Sequence, residues 1–494
     1  MTNMKWWIML AVSSLMNAQT TGAATGAATG GVFNPSTMTL PNGLQVVLIE
    51  NHLAPIVSVN LMYKVGCADD PTDIHGISHF LEHMMFRGTK DIPRDQFKSI
   101  ISSNGGNINA FTTRDSTSYT GDIAVDFLDT YLKLEADRMQ NLVIDANDVE
   151  EERKVVLEER LTRFGNNPFG VAYEAVLRSI YWYNPYGINS IGYPQHIKAY
   201  TRDLTYHHYV KWYGPNNAVL IIAGDISFEA LKAMVEKHFG TIPSRPCPQR
   251  MRVQEPDHEG VVISLEQENS RISQVNISWD YASPPHQGPD SKHIYPLLVL
   301  AQVLGGNDIS RLQRTLIDNQ KIAIGVSCNY DSNSLDPQAL SISATLAPGT
   351  KLVVLKQAIE EHIRQIVEKG ITDDELADAK RDILADLAFA RDGNNSSVMA
   401  FTRLAVGYTI EDIEKWPHFI NAVTQVQVLE AARYIFGKKP VAIMTVYPKG
   451  YKEEERQTEI EAKVKGKEMS KDMPALPQQK EADTQKSFKG GKAA

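Results

Sequence analysis

A chain of 494 residues exceeds what one small core organises and points to two to four domains. Hydrophobic residues at 43% and charged residues at 22% describe a folded globular protein, and a net charge of -9 excludes a strongly basic nucleic-acid grip. Three scattered cysteines (Cys67, Cys247, Cys328) without Cys-x-x-Cys spacing exclude a thiolate zinc site and allow at most one disulfide; buried small hydrophobes is their plainer reading.

In chain order, Lys5 precedes an apolar run at 6–18 that has signal-peptide length and is short for a membrane span. Residues 1–18 are therefore read as a secretory signal, 19–31 as an Ala/Gly/Thr-rich spacer, and the protein as exported to a periplasm with no span after cleavage. A first α/β domain is expected over 32–242. It opens with two strands across Pro41-Asn42-Gly43 and a third, alternating strand at 56–65. A helix opened by the turn residues at 70–72 and closed near Gly88 comes next, then a helix around 94–103 and strands at 108–113 and 116–123. Helices at 126–139 and 146–164 lead to an aromatic-rich helix end at 206–217 and a buried strand at 218–223.

Residues 243–258, rich in Pro, Arg and Gln, read as a linker. The order of elements then starts again over 259–448: strands at 260–265 and 273–279, a helix at 291–304, strands at 323–329 and 339–346, and a helix at 351–368. Thr372 and Glu375 form a capping box that opens a helix over 375–391, and a strand at 441–446 closes the half. This gives an α+β fold of two related halves, each a mainly antiparallel sheet packed with helices. The tail at 449–494, dominated by Lys, Glu and Gln, lacks the apolar residues to fold and is read as disordered.

The chemistry concentrates in His79-x-x-Glu82-His83. On a helix, positions i and i+4 share a face, so both imidazoles reach one metal ion with Glu82 beside them. Two imidazoles and a carboxylate from one helix suit a catalytic zinc site, which needs a third protein ligand and an open position. Between Asp148 and Arg160 carboxylates crowd a helix, with Glu152 and Glu159 two turns apart on a face shared with Val155 and Val156. Taken alone, that segment reads as a solvated helix face. His207 and His208 are read as packing residues.

The run Gly76-Ile77-Ser78-His79-Phe80-Leu81-Glu82-His83-Met84-Met85-Phe86-Arg87-Gly88-Thr89 closely resembles the motif of the pitrilysin, insulin-degrading enzyme and mitochondrial processing peptidase family. Asn109-Ala110-Phe111-Thr112, the stretch 206–225, Leu304-Gly305-Gly306 and Ser310-Arg311-Leu312 extend the resemblance over most of 32–448. The resemblance implies a zinc metallopeptidase in which a glutamate about 76 residues past the second histidine, here Glu159, is the third ligand of one zinc ion per chain. It implies Glu82 as general base, Glu152 as the support seven residues before the ligand, and Asn109, Ala110 and Phe111 as the edge strand to which a peptide substrate adds. The second half lacks the zinc motif. Short family members form half of a clamshell chamber, and the substrate-holding Arg/Tyr pair of the family has no clear place here. A homodimer, or a heterodimer with a related subunit supplying that pair, is expected. The alternative is a non-catalytic or regulatory peptide-binding subunit of such an assembly.

Overall fold

The computed structural model describes residues 31–256, 258, 260–284 and 289–452; the signal, the spacer up to residue 30 and the tail from 453 lie outside the described residues. The first half opens with strands β1 (Ser36–Thr39), β2 (Gln45–Glu50) and β3 (Ile56–Tyr63), then helices α1 (Ile77–Met84) and α2 (Gln96–Ser103). A hairpin of β4 (Asn107–Thr112) and β5 (Thr117–Ala124) follows, then helices α3 (Leu128–Asn141), α4 (Ala146–Arg160) and α5 (Gly170–Ile180). Helices α6 (Pro194–Ala199) and α7 (Arg202–Trp212) lead into β6 (Ala218–Gly224), and α8 (Phe228–Phe239) ends the half.

The second half repeats the plan. Strands β7 (Ile263–Asn269) and β8 (Asn276–Ala282) precede α9 (Ile294–Gly305) and the strand pair β9 (Ala323–Asn329) and β10 (Ala339–Leu346). Helices α10 (Leu352–Lys369), α11 (Asp373–Asp392), α12 (Asn394–Ala400), α13 (Ile410–Ala422) and α14 (Gln425–Phe436) then lead into β11 (Ala442–Pro448). The two sheets run β1-β2-β6-β3-β5-β4 and β7-β11-β8-β10-β9. In each, the first long strand lies parallel to the last, β2 on β6 and β7 on β11, and every other pairing is antiparallel. Apart from β1, the strand orders match one for one.

Strand β6 is apolar throughout because both of its faces are covered. Leu220 and Ile222 enter the core shared with Phe80 and Leu81 of α1, while Val219, Ile221 and Ala223 meet Val398, Phe401 and Ala405 from the second half. The exchange is reciprocal: Val176, Leu177 and Ile180 of α5 pack against Val441 and Ala442 beside the second sheet. Each half thus lends a helical segment to cover the other's sheet. The stretch read as a linker is pinned to both halves. Arg250 donates to the carbonyls of Lys64 and Ala405 at 3.0 Å each, and Arg252 pairs with Asp69 at 3.2 Å and Asp336 at 3.4 Å.

Several boundaries differ from the sequence expectation. Helix α1 starts at Ile77, not at the turn residues 70–72, and ends at Met84. The helix expected over 146–164 stops at Arg160 and widens into a π-turn at Leu161–Gly165, with the Asn166 N–H on the Leu161 carbonyl at 2.6 Å. All three cysteines are free, Cys67 and Cys328 buried. No helix among the described residues is long and apolar enough to cross a membrane.

Candidate metal centre

Helix α1 is short and begins without a side-chain cap of its own, because its N-cap is Gly76 at φ +93°. Only glycine fits there: a Cβ would stand 2.1 Å from the Ile191 carbonyl. The orphan amides of the first turn go instead to Asp70, whose carboxylate accepts from Gly76 N–H at 2.6 Å, Ser78 N–H at 3.1 Å and the Ser78 hydroxyl at 2.6 Å. His208 closes this array, its Nε2 lying 2.9 Å from Ser78 Oγ. It is therefore a polar anchor of the motif helix, where the sequence suggested simple packing. Burial pushes the Asp70 carboxyl up to about 7, against those hydrogen bonds, and the His208 imidazole down to about 3.

Helix α4 seats Val149 and Val156 in the core of the first half, with Asp148 and Glu152 buried beside them, and arginines fix it further. Arg94 pairs with Asp148 at 3.0 Å, Arg153 donates to the Lys198 carbonyl at 2.6 Å, and Arg160 donates to the Gly192 carbonyl at 2.7 Å. Held this way, α4 presents Glu152 and Glu159 to α1. His83 Nδ1 lies 2.8 Å from Glu152 Oε1, and Arg87 holds the other Glu152 oxygen through Nε at 2.7 Å and through Nη2. With that carboxylate accepting the hydrogen bond from Nδ1–H, Nε2 of His83 is the ring nitrogen turned toward the cleft and Glu159. Arg163, one turn beyond Glu159, takes Glu159 Oε1 at 2.7 Å.

Three donor atoms about 2.1 Å from one zinc ion at tetrahedral angles stand about 3.4 Å apart. Nε2 of His83 and of His79 lie 3.2 and 3.6 Å from Oε2 of Glu159, and that buried oxygen receives no hydrogen bond. His79, His83 and Glu159 form the one group among the described residues whose donor atoms could share a metal ion. The residues fit zinc. Burial, then the neighbouring His83, pushes the His79 imidazole down to about 3, keeping its lone pair available. Burial would also lower His83, but the hydrogen bond to Glu152 and the adjacent Glu159 carboxylate outweigh it and hold the group above its ordinary value. Glu159 is held well below the usual carboxylate range: burial works against this, and His83, His79 and Arg163 overcome it.

Glu82 is buried beside these donors, its carboxyl raised by burial, and the Thr112 hydroxyl donates to its Oε2 at 2.6 Å. An open cleft of about 580 Å³ runs past the site, lined by His79, Glu82, His83, Phe111, Glu152 and Glu159 among others. Its wall is β4, the edge of the first sheet, where Asn109, Ala110 and Phe111 face Thr120, Tyr119 and Ser118 of β5 on one side and leave the other side unpaired. All eight residues singled out from the sequence line this one cleft. The sequence pointed to Asp70 only as one of the turn residues opening the helix, and it assigned no role to Thr112, Arg87 or Arg163. Arg87 and Arg163 stand four residues after His83 and Glu159, a spacing that signals a helical neighbour; Thr112 carries no such local sign.

The sequence model described as Insulinase (Peptidase family M16) matches residues 45–192, and the one described as Peptidase M16 inactive domain matches 199–383. The chain belongs to the M16, or pitrilysin-type, peptidase family. A zinc protease, PqqE, of Helicobacter pylori is 29% identical over 360 residues, 71% of this chain and 78% of that protein. An uncharacterized zinc protease of Bacillus subtilis, YmxG, is 26% identical over 83% of this chain and 98% of its own length. Among solved structures, a protease from Helicobacter pylori superposes with a TM-score of 0.78 at 25% identity, covering 84% of this chain and 99% of that one. The periplasmic protease PqqL of Escherichia coli shares the fold at a TM-score of 0.74 and 18% identity, over 91% of this chain and 52% of that one.

Proposed function

We propose that this M16 family member is a zinc-dependent endopeptidase that cleaves peptides or unfolded segments. The observation that carries the reading is the meeting of His79 Nε2 and His83 Nε2 with Glu159 Oε2 at 3.6 and 3.2 Å, all three donors within 4.8 Å of one another, with Glu82 beside them and an unpaired strand edge alongside. Those three residues would hold one zinc ion per chain. When bound, zinc supplies Lewis acidity toward water and the scissile carbonyl. A peptide adds to β4 as an extra strand, so main-chain hydrogen bonds beside residues 109–111 carry much of the binding and side-chain selectivity is low. Glu82 takes a proton as water attacks the carbonyl carbon, then delivers it to the amine nitrogen as the C–N bond breaks. Glu152 keeps the proton of His83 on Nδ1 and fixes the ring.

The same reading has the chain exported on the strength of the apolar run at 6–18, and working with a second subunit, identical or related, that completes the substrate chamber. Full activity at the gel-filtration mass of one folded chain would overturn the two-subunit part. The core of the proposal is tested by zinc content and by hydrolysis of a quenched fluorescent peptide for wild type and Glu82→Gln. Both proteins should bind one zinc, with turnover lower in the variant by about 10²–10⁴-fold. Zinc binding without turnover by any assembly of the wild type would instead make this a non-catalytic, peptide-holding subunit.

A further inference from the structure

The hydrogen bond from Thr112 to Glu82 Oε2 is the one side-chain contact of its kind on that carboxylate among the described residues. Burial of Glu82 on α1 leaves the choice of outward oxygen open, because the terminal torsion of a glutamate is broad and nearly two-fold. A hydroxyl on one oxygen removes that freedom. Thr112 is itself well held. It is the last residue of β4, paired in register with Thr117, whose own hydroxyl donates to the Val65 carbonyl at 2.9 Å. Its β-branched side chain is stiff about χ1, so the hydroxyl follows the strand backbone closely. And β4 is the strand with the unpaired edge, so a peptide adding beside residues 109–111 lies next to the residue that grips Glu82.

We propose that Thr112 is a positioning residue for the base: it holds Oε2 of Glu82, leaves Oε1 as the oxygen that takes the proton, and sets this orientation from the strand that receives the substrate backbone. The inference rests on the reading of Glu82 as general base. It makes substrate register and base alignment two consequences of one strand's position.

The test uses the full zinc-loaded chain in whatever assembly is active, with Thr112→Val, which keeps the branched shape and removes the hydroxyl, and Thr112→Ser, which keeps the hydroxyl. The expected result for Thr112→Val is a kcat lower by about 10–100-fold with KM unchanged, and most of the loss restored in Thr112→Ser. Zinc affinity by chelator competition and the affinity of a Glu82→Gln background for an uncleaved peptide should not move on adding Thr112→Val. If Thr112→Val fails to fold, Thr112→Ala is compared with Thr112→Ser in the same assays. An unchanged kcat, a kcat loss matched by loss of zinc or peptide affinity, or no rescue by serine overturns the proposal. A wild type that turns over as fast as its Glu82→Gln variant overturns the reading of Glu82 itself, and this inference with it.

Discussion

The two halves of this molecule share a strand order, yet the helix after the second long strand has opposite character in each. In the first half that helix is α1, which buries Ser78, His79 and Glu82 along with its apolar residues and faces the carboxylates of α4. In the second it is α9, which buries Leu297, Val299, Leu300, Val303 and Leu304 and needs no polar partner at all. Where α4 offers Glu152 and Glu159 to histidines, α11 offers Glu375 to Arg311, whose guanidinium holds the carboxylate at 2.5 and 2.7 Å. Arg311 thus holds both oxygens of Glu375, whereas Arg163 takes only Oε1 of Glu159 and leaves Oε2 facing the two histidines. The scaffold is repeated and the chemistry is not, because a handful of side chains in one pocket decides it.

The largest break in this comparison should come from Glu159→Ala. Losing the third donor should take zinc content from one per chain to near none and abolish peptide hydrolysis, while the second half stays folded. Full zinc retention by elemental analysis would show that the ligand set is drawn wrongly.

A smaller effect should separate the halves by pH. His208 and His75 are buried near the start of α1, and burial holds them at about 3 and about 4, below the 6.5 of an unfolded chain. Between those values the unfolded state binds more protons, so stability falls as pH drops below about 6.5 and keeps falling toward the folded values; above 6.5 these groups contribute no slope. For His208 this amounts to about 3 kcal/mol by pH 4, partly offset by Asp70 in the same array, whose carboxyl, raised to about 7 by burial, takes its proton first in the folded state and stabilises it as pH falls below 7. Hydrogen exchange of the metal-free chain near pH 5 should show α1 losing protection before α9, and His208→Asn should flatten the acid limb of the melting profile. Equal loss of protection in α1 and α9 would remove the basis for this assignment.

The smallest effect should come from Glu375→Gln, which removes the charge that Arg311 holds and weakens the Thr372 capping box. We expect a stability loss of about 1–2 kcal/mol, read as a lower melting temperature, with zinc content unchanged. A change in zinc content would mean that the second half reports on the metal site through a route absent from this comparison.

Much of this was legible because it is local. The spacing of His79, Glu82 and His83 declares a shared helix face, and Thr372 with Glu375 declares a helix start that the structure has as a capping box. The β4 segment showed its strand character in the same way. Other features carried no local sign. Glu152 meets His83 across 69 residues of sequence and Thr112 meets Glu82 across 30, and neither pairing is written in a period of two or 3.6. The Glu-rich face of α4 read by itself as solvated surface, and Glu159 was reached through family resemblance. What separates the alternatives is where α1 docks.

The sequence by itself determined the strands, the repeat of their order, the two-histidine face and the lack of a second such motif, since each is set by neighbours within a turn or a strand; it did not announce α5, α8 or α12 to α14. The tertiary structure alone decided that α4 lies against α1, that Asp70 and His208 anchor the motif helix, that α5 and α12 cover each other's sheets, and that β4 is left with a free edge beside the cleft. Those outcomes depend on which buried surfaces and charges find partners far along the chain. Burial is a property of the assembled sheets and helices, so no window of sequence contains it.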